Sequence, residues 1–296
     1  MPLATFIEVT GRNPDGSVRR GVKINPVKPF VRGYWMIDPN NETVTLAAQG
    51  AAGDSATVRF NINSQGHFDW VYTMGVSTGA YSLEFYDAQS NRRLQNRPVN
   101  SLHIVGIATR PFRLPKDYFL DVGKSAREVS CVIRNLTGTQ NLVRLVLYGR
   151  RFYHREMPEG MADEVIKSLA PKWNEYSFFL VPRETNMDGT VTAVGANARA
   201  VFMFDQDDNA DFEVQKLMIT STGTFTFELR ENDKRQVIAT GAIDSTMGSG
   251  NSEFPFIFAD TFLLERKKQL LLEVTDTSGN SNSIFATLAG KRMQYR

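Results

Sequence analysis

The chain has 296 residues, 42% hydrophobic and 22% charged, an ordinary balance for soluble globular protein and a length beyond that of one usual domain. Its 34 basic and 32 acidic side chains leave a formal charge of +2, so no global field exists to hold a nucleic-acid backbone or an anionic membrane. A single cysteine excludes an intrachain disulfide framework, and no apolar run reaches the roughly 20 residues of a membrane helix. The opening from Met1 to Arg20 lacks the pattern of a secretion signal, so folding in a cytoplasm is expected.

Residues 1–29 carry Asn13-Pro14-Asp15-Gly16 and three further prolines around a brief apolar stretch at Phe6-Ile7-Glu8-Val9, which reads as an extended N-terminal arm. After it the sequence is written twice. Val76-Ser77-Thr78-Gly79-Ala80-Tyr81-Ser82-Leu83-Glu84-Phe85 returns as Thr220-Ser221-Thr222-Gly223-Thr224-Phe225-Thr226-Phe227-Glu228-Leu229, a step of 144 from Gly79 to Gly223, and Pro111-Phe112 returns as Pro255-Phe256. Later the step falls to 141, from Gly149 to Gly290, so three residues are lost in a loop. Upstream, Tyr34 pairs with Tyr176, Phe60 with Phe202, and the tract Phe68 to Tyr72 with Ala210 to Val214. The units are placed at 30–156 and 173–296. Between them, in 157–172, Met161, Val165 and Leu169 form one apolar stripe of a short helix.

Within each unit apolar residues alternate with polar ones, as in Tyr81, Leu83 and Phe85 or Phe225, Phe227 and Leu229, the period of strands with one wet face. Turn signals such as Ser64-Gln65-Gly66, Asn186-Met187-Asp188-Gly189 and Ser278-Gly279-Asn280 recur at short spacing. These patterns predict an all-β chain of two tandem β-sandwich domains, jelly-roll or immunoglobulin-like.

Catalytic patterns find no support in this reading. Cys131 alternates with Val129 and Ile133, and its repeat partner is Leu272, so it reads as a small core side chain. His67, His103 and His154 lie apart, without a short-spaced metal pair. Gly123-Lys124-Ser125 resembles the end of a phosphate loop, but Tyr118 stands where its first glycine belongs. Asp205, Asp207, Asn209 and Asp211 have a calcium-like spacing, yet Ala210 replaces the turn glycine and Lys216 the closing glutamate. The first unit has Asn63, Gln65, His67 and Asp69 there, which reads as a shared polar hairpin. Asn41-Glu42-Thr43 and Asn135-Leu136-Thr137 read as turns, and no two of the 32 acids stand out as a paired-carboxylate site. No catalytic residue, metal or cofactor is expected.

Trp35, Trp70 and Tyr72 keep a second function open, since aromatic faces exposed together on a β-sandwich stack on sugar rings. Their repeat partners favour packing positions instead. The basic pairs Arg19-Arg20, Arg92-Arg93, Arg150-Arg151, Lys267-Lys268 and Lys291-Arg292 read as solvated surface or, more sharply, as ion pairs between subunits.

Both units end alike. Asn135-Leu136-Thr137-Gly138 leads to Leu147-Tyr148-Gly149-Arg150-Arg151-Phe152-Tyr153, and Asp276-Thr277-Ser278-Gly279-Asn280 leads to Leu288-Ala289-Gly290-Lys291-Arg292. This ending, about the last third of each unit, resembles those of tailed-bacteriophage virion structural proteins. The resemblance implies a non-enzymatic neck, collar or head-attached subunit, assembled in the host cytoplasm. Its implied partners are copies of itself and portal, connector or capsid proteins, with no membrane and no specific nucleic acid. A carbohydrate- or receptor-binding module is the alternative.

Overall fold

The computed structural model describes residues 31–63, 66–121, 127–153, 175–232 and 241–294. The arm at 1–29, the linker helix at 157–172, His154 and Gly123-Lys124-Ser125 lie outside them.

The chain is all-β, with four antiparallel sheets that form two sandwiches. In the first unit a front sheet has the order β1 (Val31–Met36), β10 (Asn141–Tyr153), β4 (Gly66–Ser77), β8 (Phe112–Leu120), with β2 (Val44–Leu46) also on β10. Its back sheet has the order β3 (Ser55–Ile62), β9 (Arg127–Asn135), β5 (Tyr81–Asp87), β6 (Arg92–Arg93), with β7 (Val99–Asn100) on β5. The second unit repeats this with β11 (Glu175–Leu180), β18 (Ile284–Gln294), β13 (Ala210–Ser221) and β16 (Phe256–Leu264) in front. Behind them lie β12 (Arg199–Asp205), β17 (Gln269–Asp276), β14 (Phe225–Glu231) and β15 (Ile243–Asp244). One-turn helices α1 (Ser101–Ile104) and α2 (Ser245–Gly248) are capped alike, by Asn100 accepting from Leu102 N–H and Asp244 from Thr246 N–H.

Alternation sets the strands' faces. Val58, Phe60, Leu83, Phe85, Cys131 and Ile133 point from the back sheet into the first sandwich, where Trp70 meets Phe85 edge-on at 4.8 Å. Trp70 is wholly buried and donates its indole N–H to the Tyr72 carbonyl. Such a ring contributes about 1.5–3 kcal/mol by leaving water.

Two duplicated devices fix the sandwiches. A bulge lets β4 carry Val71 between Trp70 and Tyr72, and β13 carries Gln215 between Val214 and Lys216. There β10 and β18 pass so close that a Cβ on Gly149 would stand 1.9 Å from the Asp69 carbonyl oxygen, and one on Gly290 2.0 Å from that of Glu213. Only glycine fits. The second device is a buried asparagine. Asn141 accepts from Gly79 N–H at 3.0 Å and donates to the Gly79 carbonyl and to Asn135, and Asn282 accepts from Gly223 N–H at 2.9 Å and donates to the Thr224 carbonyl and to Asp276. The repeated ending is thus a turn locked by buried amides.

The strand registers correct the upstream repeat frame. Tyr34 pairs with Gly149 and Phe178 with Gly290, so Phe178, not Tyr176, is the counterpart of Tyr34. In the same way Phe60 corresponds to Phe204 and Phe68 to Phe212. The step is therefore 144 from β1 to β8, and drops to 141 at the loop between β8 and β9. A two-residue slip keeps every side chain on its own face, so alternation alone does not reveal it.

Candidate functional site

Most residues singled out by type are spent on packing. Cys131 is fully buried and burial pushes its thiol up, so it stays protonated, matched by Leu272 in the second unit. His67 is buried with Nδ1 3.0 Å from Asp121. The calcium-like loop is taken by a guanidinium, since Arg292 pairs with Asp207 and donates to Asn209 at 2.9 Å, while Asp205 accepts from Gln269 and Asp211 from Arg266 N–H. Among the described residues no group of three or more His, Cys, Asp or Glu is placed to hold a metal. None of their helices is long and apolar enough to cross a membrane.

The basic pairs beside the glycine bulges have partners within the chain. Arg150 joins Asp69 and Asp117, Arg151 reaches Asn63 and lies over Tyr34, and Lys291 pairs with Glu213 and Glu175. Alternation sends the first of each pair outward and the second inward, and each finds a partner there. Asp69 and Asp117, 48 positions apart, are brought onto one guanidinium, a pairing that spacing could not reveal. Burial raises the Asp69 carboxyl pKa against the pull of Arg150, and Asp117 adds to the rise.

The two units meet where the β8 edge and α1 of the first lie on the outer face of the second unit's front sheet. Phe112 packs on Phe179 at 5.9 Å between ring centres. The Ser177 hydroxyl accepts from Lys116 N–H at 2.8 Å and donates to the Lys116 carbonyl, and Lys116 Nζ sits 2.8 Å from Glu175. Lys216 donates to the Arg113 carbonyl at 2.9 Å and lies over the Phe112 ring, and burial first, then Arg113, lowers its pKa to about 8. His103 is inserted from α1 between Thr287 Oγ1 at 2.7 Å and Thr220 Oγ1 at 3.0 Å. Burial drives its pKa down to about 3, so it is neutral, with one nitrogen donating and the other accepting. Beside this junction a cleft of about 300 Å³ is lined by Arg92, Arg93, Tyr176, Asp207 and Arg292, with Arg92 over the Tyr176 ring.

Each side of this junction has an equivalent elsewhere in the chain, and both equivalents are bare. Phe112 is 1% exposed, but its counterpart Phe256 on β16 is 37% exposed. Phe179 is fully buried, but its counterpart Trp35 on β1 is 57% exposed. His103 is fully buried, and Met247 at the same place in α2 is 79% exposed. Trp35 continues into a row across the first unit's front sheet, with Tyr148 4.5 Å away and Tyr72 stacked on Tyr148 at 6.2 Å. Of the three aromatics named for sugar stacking, Trp70 is therefore in the core, and Trp35 and Tyr72 share the outer face with Tyr148. Composition gave no warning of Met247, Phe256 and Tyr148; the usable signal was large apolar residues at outward positions of the alternation.

No family model matches the chain, and neither does any curated protein. Solved structures do. A peptide-N(4)-(N-acetyl-β-D-glucosaminyl) asparagine amidase is 11% identical, with 88% of this chain and 96% of that one covered and a TM-score of 0.39. PNGase F, a glycosylasparaginase from Flavobacterium meningosepticum, has the same identity and coverage and a TM-score of 0.37. The VP2 subviral particle of infectious bursal disease virus is 9% identical over 98% of this chain and 47% of that one, with a TM-score of 0.25. These matches correct the expectation of a chain without chemistry and of a non-enzymatic phage neck subunit, because an amidase stands among the most similar structures. At such scores the likeness assigns this chain no activity.

Proposed function

We propose that this chain works by associating with further copies of itself. The observation that supports the reading is the bare second edge: β16 carries Phe256, Ile257 and Leu263 in the open, while the equivalent strand β8 is covered by the other unit. An apolar strand of this kind at a sheet edge is a docking surface or a liability, and it lies beside α2 with its exposed Met247. Such association is independent of any reaction the chain carries out. The setting implied by the repeated ending is a tailed-bacteriophage virion put together in the host cytoplasm, with portal, connector or capsid proteins as further partners.

The test is the mass of the purified chain by light scattering over a concentration series to tens of micromolar. A defined multiple of the chain mass is expected; a single-chain mass throughout overturns the reading. Glycan arrays run beside it address the alternative, since the Trp35, Tyr148 and Tyr72 rings are where a sugar would stack. Glycan binding by a monomer, abolished by Trp35→Ala, would put a binding module in place of an assembling one.

A further inference from the structure

Resting on that reading, we infer that the copies join head to tail, the β16 edge and α2 of one chain docking on the Trp35 face of the next. The junction already made inside the chain is the template. The four long strands of the two front sheets have the same order and registers, so the residues of the internal junction have counterparts at the two bare surfaces.

Replacing the ring contacts and the inserted helix residue by their counterparts gives contacts of matched chemistry, whereas Ser177 becomes Gly33 and its two hydrogen bonds have no counterpart. Phe112 on Phe179 becomes Phe256 on Trp35, aromatic on aromatic. His103 between Thr220 and Thr287 becomes Met247 between Val76 and Val146, so a polar group in a polar slot is exchanged for an apolar group in an apolar slot. The exchange is concerted across one helix and two strands. Val76 is 59% exposed, a valine at an outward position of β4. Lys216 over the Phe112 ring becomes Tyr72 over Phe256, which adds to the aromatic face. The charged contact is not carried over, since Lys116 becomes Asp260 and Glu175 becomes the uncharged Val31. Aromatic rings and methionine are enriched at the centres of protein interfaces.

The geometry also says how such a contact propagates. The donor edge belongs to the second unit and the acceptor face to the first, so the contact is heterologous and each added chain offers a fresh edge. Repetition of one rotation builds a ring where the rotation closes and an open filament where it does not, and in either every unit, first or second, sits on its neighbour in the same way.

Cysteine pairing tests this directly, because Cys131 is fully buried and its thiol stays out of the reaction. Met247→Cys copies and Val76→Cys copies are prepared separately, mixed, oxidised and run without reductant, with far-UV circular dichroism confirming that each is folded. A covalent dimer from the mixture and none from either variant alone is expected. Met247→Arg in the intact chain is expected to reduce the mass by light scattering to that of one chain. Wild-type oligomers that survive Met247→Arg and give no crosslink would overturn the head-to-tail mode while leaving self-association standing. A wild-type chain that is monomeric at every concentration would overturn self-association itself.

Discussion

The two units differ least in their cores and most on the outer faces of their front sheets. Both pack the same alternating residues, both need a glycine opposite the bulge, and both lock the last turn with a buried asparagine. On the outer face the second unit holds Phe179 fully buried under the first unit, while the first unit holds Trp35 in the open at the equivalent position. One scaffold therefore serves two purposes, and the role of an outer side chain is set by what lies outside its own sandwich.

Truncating Phe179 and Trp35 in turn separates the covered face from the bare one. Phe179→Ala is expected to cost about 3–5 kcal/mol in urea denaturation, the range for deleting a wholly buried ring. Gly290→Ala should cost about 3 kcal/mol, since the new methyl meets backbone of β13 that cannot yield, and Gly149→Ala should match it. A large difference between the two glycine variants would show that the units do not share the device. Asn282→Ala strands buried backbone groups of the Gly223 turn and should lower stability by about 1–3 kcal/mol, again with Asn141→Ala alongside.

Acid separates the units where mutation does not. Burial acts to raise the Asp276 pKa, but hydrogen bonds from Asn197 N–H, Ser278 and Asn282 outweigh it and bring the carboxyl down to about 2. A carboxylate depressed in the folded state contributes stability above its unfolded value of 3.8, and that stability is lost as pH falls towards 2. The first unit has Asn135 at this place and does not titrate there. Denaturation midpoints followed from pH 5 to pH 2 should fall less for Asp276→Asn than for the wild-type chain; parallel curves would show that other carboxylates govern this window. The smallest effect is expected for Trp35→Ala, within about 0.5 kcal/mol on the lone chain, with a clear loss of oligomer mass.

Much of this fold was legible because β structure writes itself in period two. The repeat, the sandwich class, the core placement of Cys131 and the three-residue loss followed from alternation and from turn residues that each serve a local need. The Tyr34 to Tyr176 pairing failed for the same reason, since a slip of two residues leaves alternation intact. Trp70 and Trp35 were grouped by residue type, yet one faces the core and the other solvent. Which face a strand buries depends on the bulge at Val71 and on what the neighbouring unit covers, and these are contacts between residues far apart in the chain.

Two β-sandwich units with duplicated turns and cores could be read from the residues alone, because those features arise from neighbours along each strand. Which outer faces are covered and which are bare is fixed by the packing of one unit on the other. His103 reads as a lone histidine until Thr220 and Thr287 stand on either side of it, and Met247 as an ordinary methionine until its place in α2 is seen to match. The physical reason is that burial on an outer face is a property of two packed units, whereas alternation is a property of one strand.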